Sequence, residues 1–206
     1  MNAAQIFATK PTKGEETRAQ ILAAAVQIAS QLGFESLTIG TLAEKTGMSK
    51  SGLFAHFGSK LELQVAALDE AARQFTEAVF MPALKAPRGL RRLKALLENW
   101  LDWPQRQKLP GGCPIDSASR EYDHRPGPMR DAIIERQRLL ERECTKAVQL
   151  AIETGEFARD TDAAQVAFEF LSIVLAFFRS EIVHGHELAA KRARSAFARL
   201  VETYRA

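Results

Sequence analysis

Ser49, Lys50, Ser51 and Gly52 stand together in the stretch GMSKSGLFAHFGSKLEL, Gly47 to Leu63, and Phe54, His56, Ser59 and Lys60 follow at short intervals. Small hydroxyls and a lysine at the start of a short helix sit where free backbone N–H groups already favour anions, which suits phosphates and base edges. Gly52 adds to this. A glycine inside a helix costs about 1 kcal/mol against alanine, so its presence points to something pressed close to the backbone, as a nucleic acid would be. Taken singly these residues have plainer roles: Ser49 and Ser59 as caps, Gly52 as a bend, Lys50 and Lys60 as solvated charges, Phe54 and Phe57 as core. The set in this order points to an anionic polymer.

Such a helix needs a scaffold. Upstream, Arg18, Ile21, Leu22, Ala25, Ile28, Ala29 and Leu32 recur at three- and four-residue spacings, one face of a helix from Glu15 that Gly33 can close in a left-handed conformation. Phe34 and Leu37 return the chain to the core. Thr38 then caps a short second helix with Ile39, Leu42 and Ala43, closed by Gly47, and Met48 is expected as a buried plug. Ser49 opens the third helix, about two turns long by the helical repeat, and Gly58 stops it. Ser59 with Glu62 forms a capping box for a long amphipathic helix through Leu61, Val65, Leu68, Ala72, Phe75 and Val79, which is expected to end before Pro82. A longer helix followed by two short ones across a tight turn is the layout of a helix-turn-helix, whose last helix can lie in a major groove. Residues 1–14, with Lys10, Pro11, Lys13 and Gly14, have no period and read as a flexible basic arm.

Beyond Pro87 comes a helix with Leu90, Leu93, Leu96, Leu97, Trp100 and Leu101, then the Pro/Gly-rich break LPGGCPIDSASREYDHRPGP. Helices from about Met129 to Glu153, Thr161 to Val183 and Glu187 to Tyr204 complete the pattern. The expectation is an all-α chain of about nine helices by this periodicity: the arm (1–14), a helix-turn-helix head (15–60) and a helical body (61–206). Net charge is +3 over 206 residues, so affinity for an acidic partner must come from local clustering. Two cysteines, Cys113 and Cys144, provide neither a disulfide scaffold nor a four-cysteine zinc site. The most apolar segment, Ala163 to Phe178, is interrupted by Gln165, Glu169 and Ser172 and falls short of the roughly 20 residues a bilayer span needs. With no signal-peptide pattern, the expectation is a cytoplasmic protein without membrane span, cofactor or metal.

The stretch from Thr38 to Leu63 resembles the DNA-binding signature of the tetracycline-repressor (TetR) family, and the helical layout of the chain is similar too. The signature residues present are Thr38, Ala43, Gly47, Ser49, Phe54, His56, Phe57, Ser59 and Lys60. The resemblance implies that Thr38, Phe54, His56 and Lys60 lie along phosphates of a double-stranded DNA operator. It likewise implies that Lys50 and Ser51 face base edges and that Gly52 permits close approach. Phe54 stands where tyrosine is commoner, and Ala55 where a second aromatic is frequent, which makes the arm with Lys10 and Lys13 a more attractive supplement. A homodimeric regulator responding to a small-molecule effector is implied, as repressor or as activator.

The body offers three further patterns. Val166, Phe170, Ile173, Val174, Phe177 and Phe178 make one helix apolar nearly all round, more than a single neighbour covers, and Ala193, Ala196, Phe197, Leu200, Val201 and Tyr204 stripe the last one. These are the expected dimer interface, with a purely intramolecular core as the alternative. Phe75, Trp100, Trp103, Cys113, Met129, Ile133, Phe168, Leu171 and Leu175 are candidates to line a ligand chamber, although ordinary core accounts for most such residues. Cys113, in a glycine-rich turn before Pro114, could act as a thiol or electrophile sensor if a helix end stabilised its thiolate. His184 and His186 could hold a metal but lack a third ligand, and Glu121, Asp123 and His124 lack the motifs around them that an acid–base site needs. A helical adaptor would have no use for Lys50, Ser51, Gly52, His56 and Lys60 at these offsets.

Overall fold

A computed structural model describes the chain from Thr12 to Ala206. The head is built from α1 (Lys13–Leu32), α2 (Ile39–Thr46) and α3 (Lys50–Phe57). The body continues with α4 (Lys60–Phe75), α5 (Met81–Ala83), α6 (Leu90–Arg106), α7 (Pro114–Glu121), α8 (Pro128–Glu153), α9 (Ala163–His184) and α10 (His186–Thr203). A π-helical turn, Thr76–Phe80, joins α4 to α5 without a break. With that rod counted once, the described residues form nine helices, as expected, and the only extended pairing among them is an isolated bridge between Phe157 and Arg205.

Caps set the head's boundaries. Thr12 accepts from Glu15 N and Glu15 answers at the Thr12 N–H, so Lys13 and Gly14, expected in the arm, belong to α1. Lys10 and Pro11 lie outside the described residues. Thr38 and Thr41 close a second reciprocal pair, and Gly47 ends α2 at φ 70°, a left-handed turn that glycine adopts without strain. Ser49 and Ser59 accept from Gly52 N and Glu62 N. Met48 is half-buried and not a full plug.

The rod does not stop before Pro82. A proline interrupts a helix by removing one donor and crowding the preceding turn; here α6 supplies the missing donors. Arg106 donates to the Ala78 carbonyl at 3.1 Å and Asn99 to that of Val79 at 3.0 Å, and the wider π-turn accommodates the ring.

Two apolar clusters organise the chain. One, in the head, gathers Ile21, Phe34, Leu37, Leu42, Leu53, Phe57 and Leu63, and is completed by Ala118, Tyr122, Met129 and Ile133 from the body. The other fills the body around Phe75, Trp100, Trp103, Phe157, Phe170 and Phe177. Ser30 and Gln64, both buried, serve the packing of the head. Ser30 Oγ accepts from Gly111 N and donates to the Gly112 carbonyl, and Gln64 donates to the Phe34 carbonyl at 2.6 Å.

Candidate functional site

On α3 the inner face is Leu53 and Phe57, the latter 2% exposed. The outer face carries Ser49, Lys50, Ser51, Phe54 and Ala55, all open to solvent, with Gly52 and His56 half-buried beside them. Phe54 is 56% exposed, so of the two phenylalanines read as potential core only Phe57 is core. At Gly52 an added Cβ would meet only Ser49 Oγ, at 3.1 Å, so the space beyond the backbone is free for an outside partner. Thr38 is half-buried at the start of α2, where its hydroxyl accepts from Thr41 N at 3.1 Å. Of the residues expected in the footprint, Ser49 to Gly52, Phe54 and His56 sit together on or at the start of α3, while the hydroxyls of Thr38 and Ser49 already accept from backbone N–H groups and Lys60 is paired with Glu35.

Four residues that hold this surface, Arg18, Glu35, Glu121 and Tyr122, were not singled out for that role by the sequence. Arg18 donates to the His56 carbonyl at 2.6 Å and lays its guanidinium 4.6 Å from the centre of the Phe57 ring, so it satisfies one of the unpaired carbonyls that end α3. Glu35 takes Lys60 on one oxygen at 2.5 Å and Tyr122 on the other at 3.1 Å. The Lys60 ammonium and the Tyr122 hydroxyl hold the Glu35 carboxyl below the usual carboxylate range, and burial followed by Glu35 pushes the Tyr122 phenol up, keeping it a donor. Glu121, weighed with Asp123 and His124 as an acid–base group, instead spends its carboxylate on Phe34 N and Glu35 N, each at 2.8 Å. Asp123 and His124 lie exposed. Tyr122 and Glu121 at the end of α7 thus clasp the loop that follows α1.

A cavity of about 720 Å³ opens in the body. Phe75, Trp100, Cys113, Phe168, Leu171 and Leu175 line it as expected, with Phe80, Met81, Leu84, Leu139 and Leu140 besides. Phe168 and Leu175, 61% and 53% exposed, stand at its mouth. Trp103, Met129 and Ile133 are not among the lining residues. Trp103 is fully buried, its ring 5.4 Å from that of Phe75, while Met129 and Ile133 pack into the head cluster, where α8 closes the seam.

The Cys113 reading changes. Burial pushes its thiol up to about 12, so the reactive thiolate that a sensor needs is suppressed at neutral pH. Cys144 is buried and raised in the same way. His186 spends its Nδ1 on Glu181 Oε1 at 2.7 Å, and no group of three metal-ligating side chains occurs among the described residues. No helix among them is long and apolar enough to cross a membrane.

The residues expected at a dimer interface pack mostly within this chain. Phe170, Val174, Phe177, Phe178, Ala193, Phe197 and Leu200 are buried within this one chain. Val201 and Tyr204 are half-buried, the latter donating to Glu169 at 2.7 Å. Their apolar pattern is satisfied by packing between α9, α10 and the body. Outward on α9 and α10 stand Phe168 and Leu175 at the cavity mouth and, further along, Ile182, 75% exposed, with Val183 and Leu188.

A capped three-helix head with a polar, glycine-bearing short helix turned outward, joined to a hollow helical body, defines a helix-turn-helix transcription regulator. Residues 21–67 match the bacterial regulatory proteins of the tetR family, and residues 89–197, more than half of the chain, match the tetracyclin repressor-like C-terminal domain. The chain belongs to the TetR family of transcriptional regulators. It is 30% identical over 89 residues to the HTH-type transcriptional activator FasR of Mycolicibacterium smegmatis, a stretch covering 43% of this chain and 41% of FasR. Among solved structures, a TetR-family regulator from Cytophaga hutchinsonii superposes with a TM-score of 0.82 at 17% identity, covering 96% of this chain and 98% of its own. One from Chloroflexus aurantiacus does so at 0.76 and 26% identity, covering 92% and 94%. A regulator from Saccharomonospora viridis, solved in complex with choline, matches at 0.75 and 19% identity, covering 91% and 96%.

Proposed function

We propose that this regulator is a cytoplasmic homodimer that represses transcription by holding a (pseudo)palindromic operator through α3 and lets go when an apolar or amphipathic effector fills the cavity. The observation that carries the proposal is the split face of α3: Leu53 and Phe57 locked inward, Ser49 to Gly52 presented outward. One helix of this length reads only a few base pairs, so specificity calls for two heads about 34–36 Å apart. The outward apolar residues Ile182, Val183 and Leu188 provide a face on α9 and α10 for a second copy. A regulator of the same fold was solved with choline, which supports a small molecule as effector.

Two elements couple cavity to head. The rod has Lys60 at one end and Phe75, Thr76, Phe80 and Met81 at the cavity wall. Helix α7 has Ile115, Asp116 and Ser119 on that wall and Glu121 and Tyr122 in the clasp on the head. A ligand releases DNA only by favouring the arrangement whose heads are wrongly spaced, and both elements can carry that preference. Footprinting on the intergenic DNA beside the regulator's own gene, repeated with a panel of apolar small molecules, tests this. A protected palindrome that one of them abolishes is expected; no protected site at low salt overturns the reading. FasR is described as an activator. An increase of transcription from the footprinted promoter would place this chain with it and keep the rest.

Lys60→Ala should weaken operator and random DNA alike and flatten the salt dependence of binding by about one unit of slope, because one phosphate contact is lost. Binding measured from low to moderate salt checks this; an unchanged slope removes Lys60 from the footprint. Replacing Lys50 or Ser51 should instead relax preference at particular base pairs, about 1–3 kcal/mol for each good contact.

A further inference from the structure

We infer that the cavity selects a cationic amphiphile, an apolar chain ending in a quaternary or protonated amine. This rests on the proposal that the cavity takes the effector, and names that effector's chemistry.

The wall is mostly hydrocarbon. Phe75 forms its centre, with Phe80 and Trp100 edge-on at 5.8 and 4.8 Å between ring centres, and Leu171 and Leu175 extend the apolar surface to the mouth. Ligand pockets of about 300–1,000 Å³ hold drug-sized molecules, so the volume here suits a chain of several carbons with its headgroup.

The charged groups on the wall are unequal. Asp116, Glu141 and Glu143 bring three carboxylates, and among the lining residues described Arg136 alone brings a positive charge. That charge is already taken. Arg136 pairs with Asp69, which is not on the wall, and also donates to the Ala132 carbonyl at 2.7 Å. Two of the acids have partners one turn along their own helices: Asp116, its side chain 11% exposed, pairs with Arg120, and Glu143, 40% exposed, with Lys146. The solvent-exposed Glu143–Lys146 pair contributes little, so an incoming cation can replace it at small cost, and Glu141 pairs with no cation among the described residues.

A ligand therefore meets an excess of acid without a free guanidinium to receive an anion. A carboxylate or sulfate headgroup would meet Glu141 and the weakly paired Glu143 with no free cation on the wall to offset them. A neutral one would gain only the apolar contact. An ammonium gains Coulomb attraction, and its polarised methyl or N–H groups can rest on the faces of Trp100, Phe75 or Phe168. Because Asp116 lies on α7, a headgroup that draws it away from Arg120 acts on the helix whose far end holds Glu35 through Tyr122.

The test uses full-length protein and three probes that share a decyl chain, below their micelle concentrations: decyltrimethylammonium, decyl sulfate and 1-decanol. Binding is read from tryptophan fluorescence, since the chain's two tryptophans, Trp100 and Trp103, lie on or directly behind the wall. Decyltrimethylammonium is expected to bind at least ten-fold tighter than either of the others. That advantage should fall at least five-fold in Glu141→Gln and further in Asp116→Asn/Glu141→Gln, with decanol affinity unchanged. Glu141 is exposed, so the single variant keeps the measurement usable if the double variant misfolds. Equal or tighter binding of the sulfate or the alcohol overturns the proposal, as does a cation preference that both variants retain. If the sulfate or alcohol also releases operator DNA, the effector site stands and only its charge selectivity falls. If the protein protects no DNA at all, the regulator reading falls independently of which probe binds.

Discussion

Gly111→Ala should lower stability by about 3 kcal/mol or more. Its added Cβ would lie 1.7 Å from the Ser30 carbonyl oxygen and 2.6 Å from the carbonyl carbon, with Gln31 Cα at 3.0 Å. Overpacking usually costs about 1–3 kcal/mol because side chains give way. Here every obstacle is backbone, on the last turn of α1, so the seam between head and body has to open. Opening it also strains the hydrogen bonds that Ser30 makes to Gly111 N and the Gly112 carbonyl. For a chain of this size the fall in Tm is roughly 6 °C or more, read by thermal melting. Gly14→Ala is the control: nothing closer than 4.0 Å awaits its Cβ, and in the first turn of α1 it should be neutral or slightly stabilising. A melting point unchanged in Gly111→Ala would mean the two segments are not in contact.

Gly52→Ala should separate folding from binding. Inside α3 alanine gains up to about 1 kcal/mol of helix propensity over glycine, offset by its 3.1 Å approach to Ser49 Oγ, so stability should stay within about 1 kcal/mol of the parent. Operator affinity should drop ten-fold or more, because the methyl stands between the helix backbone and DNA pressed against it. Chemical denaturation and a DNA-shift titration on the same sample give both readings. Full affinity with normal stability would show that nothing approaches the backbone at this position.

The elements that caps and glycines define were legible in the sequence, since a cap bonds within three or four residues of itself: Thr38, Ser49 and Ser59 each begin the helix expected of them. What sequence periodicity could not place were side chains whose partners are remote. Arg18 reaches the His56 carbonyl 38 residues away, Lys60 reaches Glu35 across 25, and Glu121 reaches Phe34 across 87. Nothing in local spacing marks such pairs. The apolar surplus on α9 was visible, but a pattern states that a face is covered and not by what. Phe170, Val174 and Phe177 proved to be covered by their own chain. The same limit explains Met129 and Ile133, large apolar residues that serve the head's packing and not the cavity. Pro82 failed as a stop signal because its consequence, carbonyls left without donors, was met by Asn99 and Arg106 from another helix.

The π-turn at Thr76–Phe80 holds one residue more than a regular spiral would, so everything after it is swung by about 100° relative to the stripe before it. That swing brings Met81 and Leu84 round to the cavity's side while Leu63 and Leu68 stay against the head. Losing a single codon anywhere in that turn would leave Pro82 inside a regular helix with no wide turn to take its ring, and aim the far end at the wrong neighbour. The rod's register, unlike its surface chemistry, is therefore a feature that descent with small deletions has no gradual way to alter.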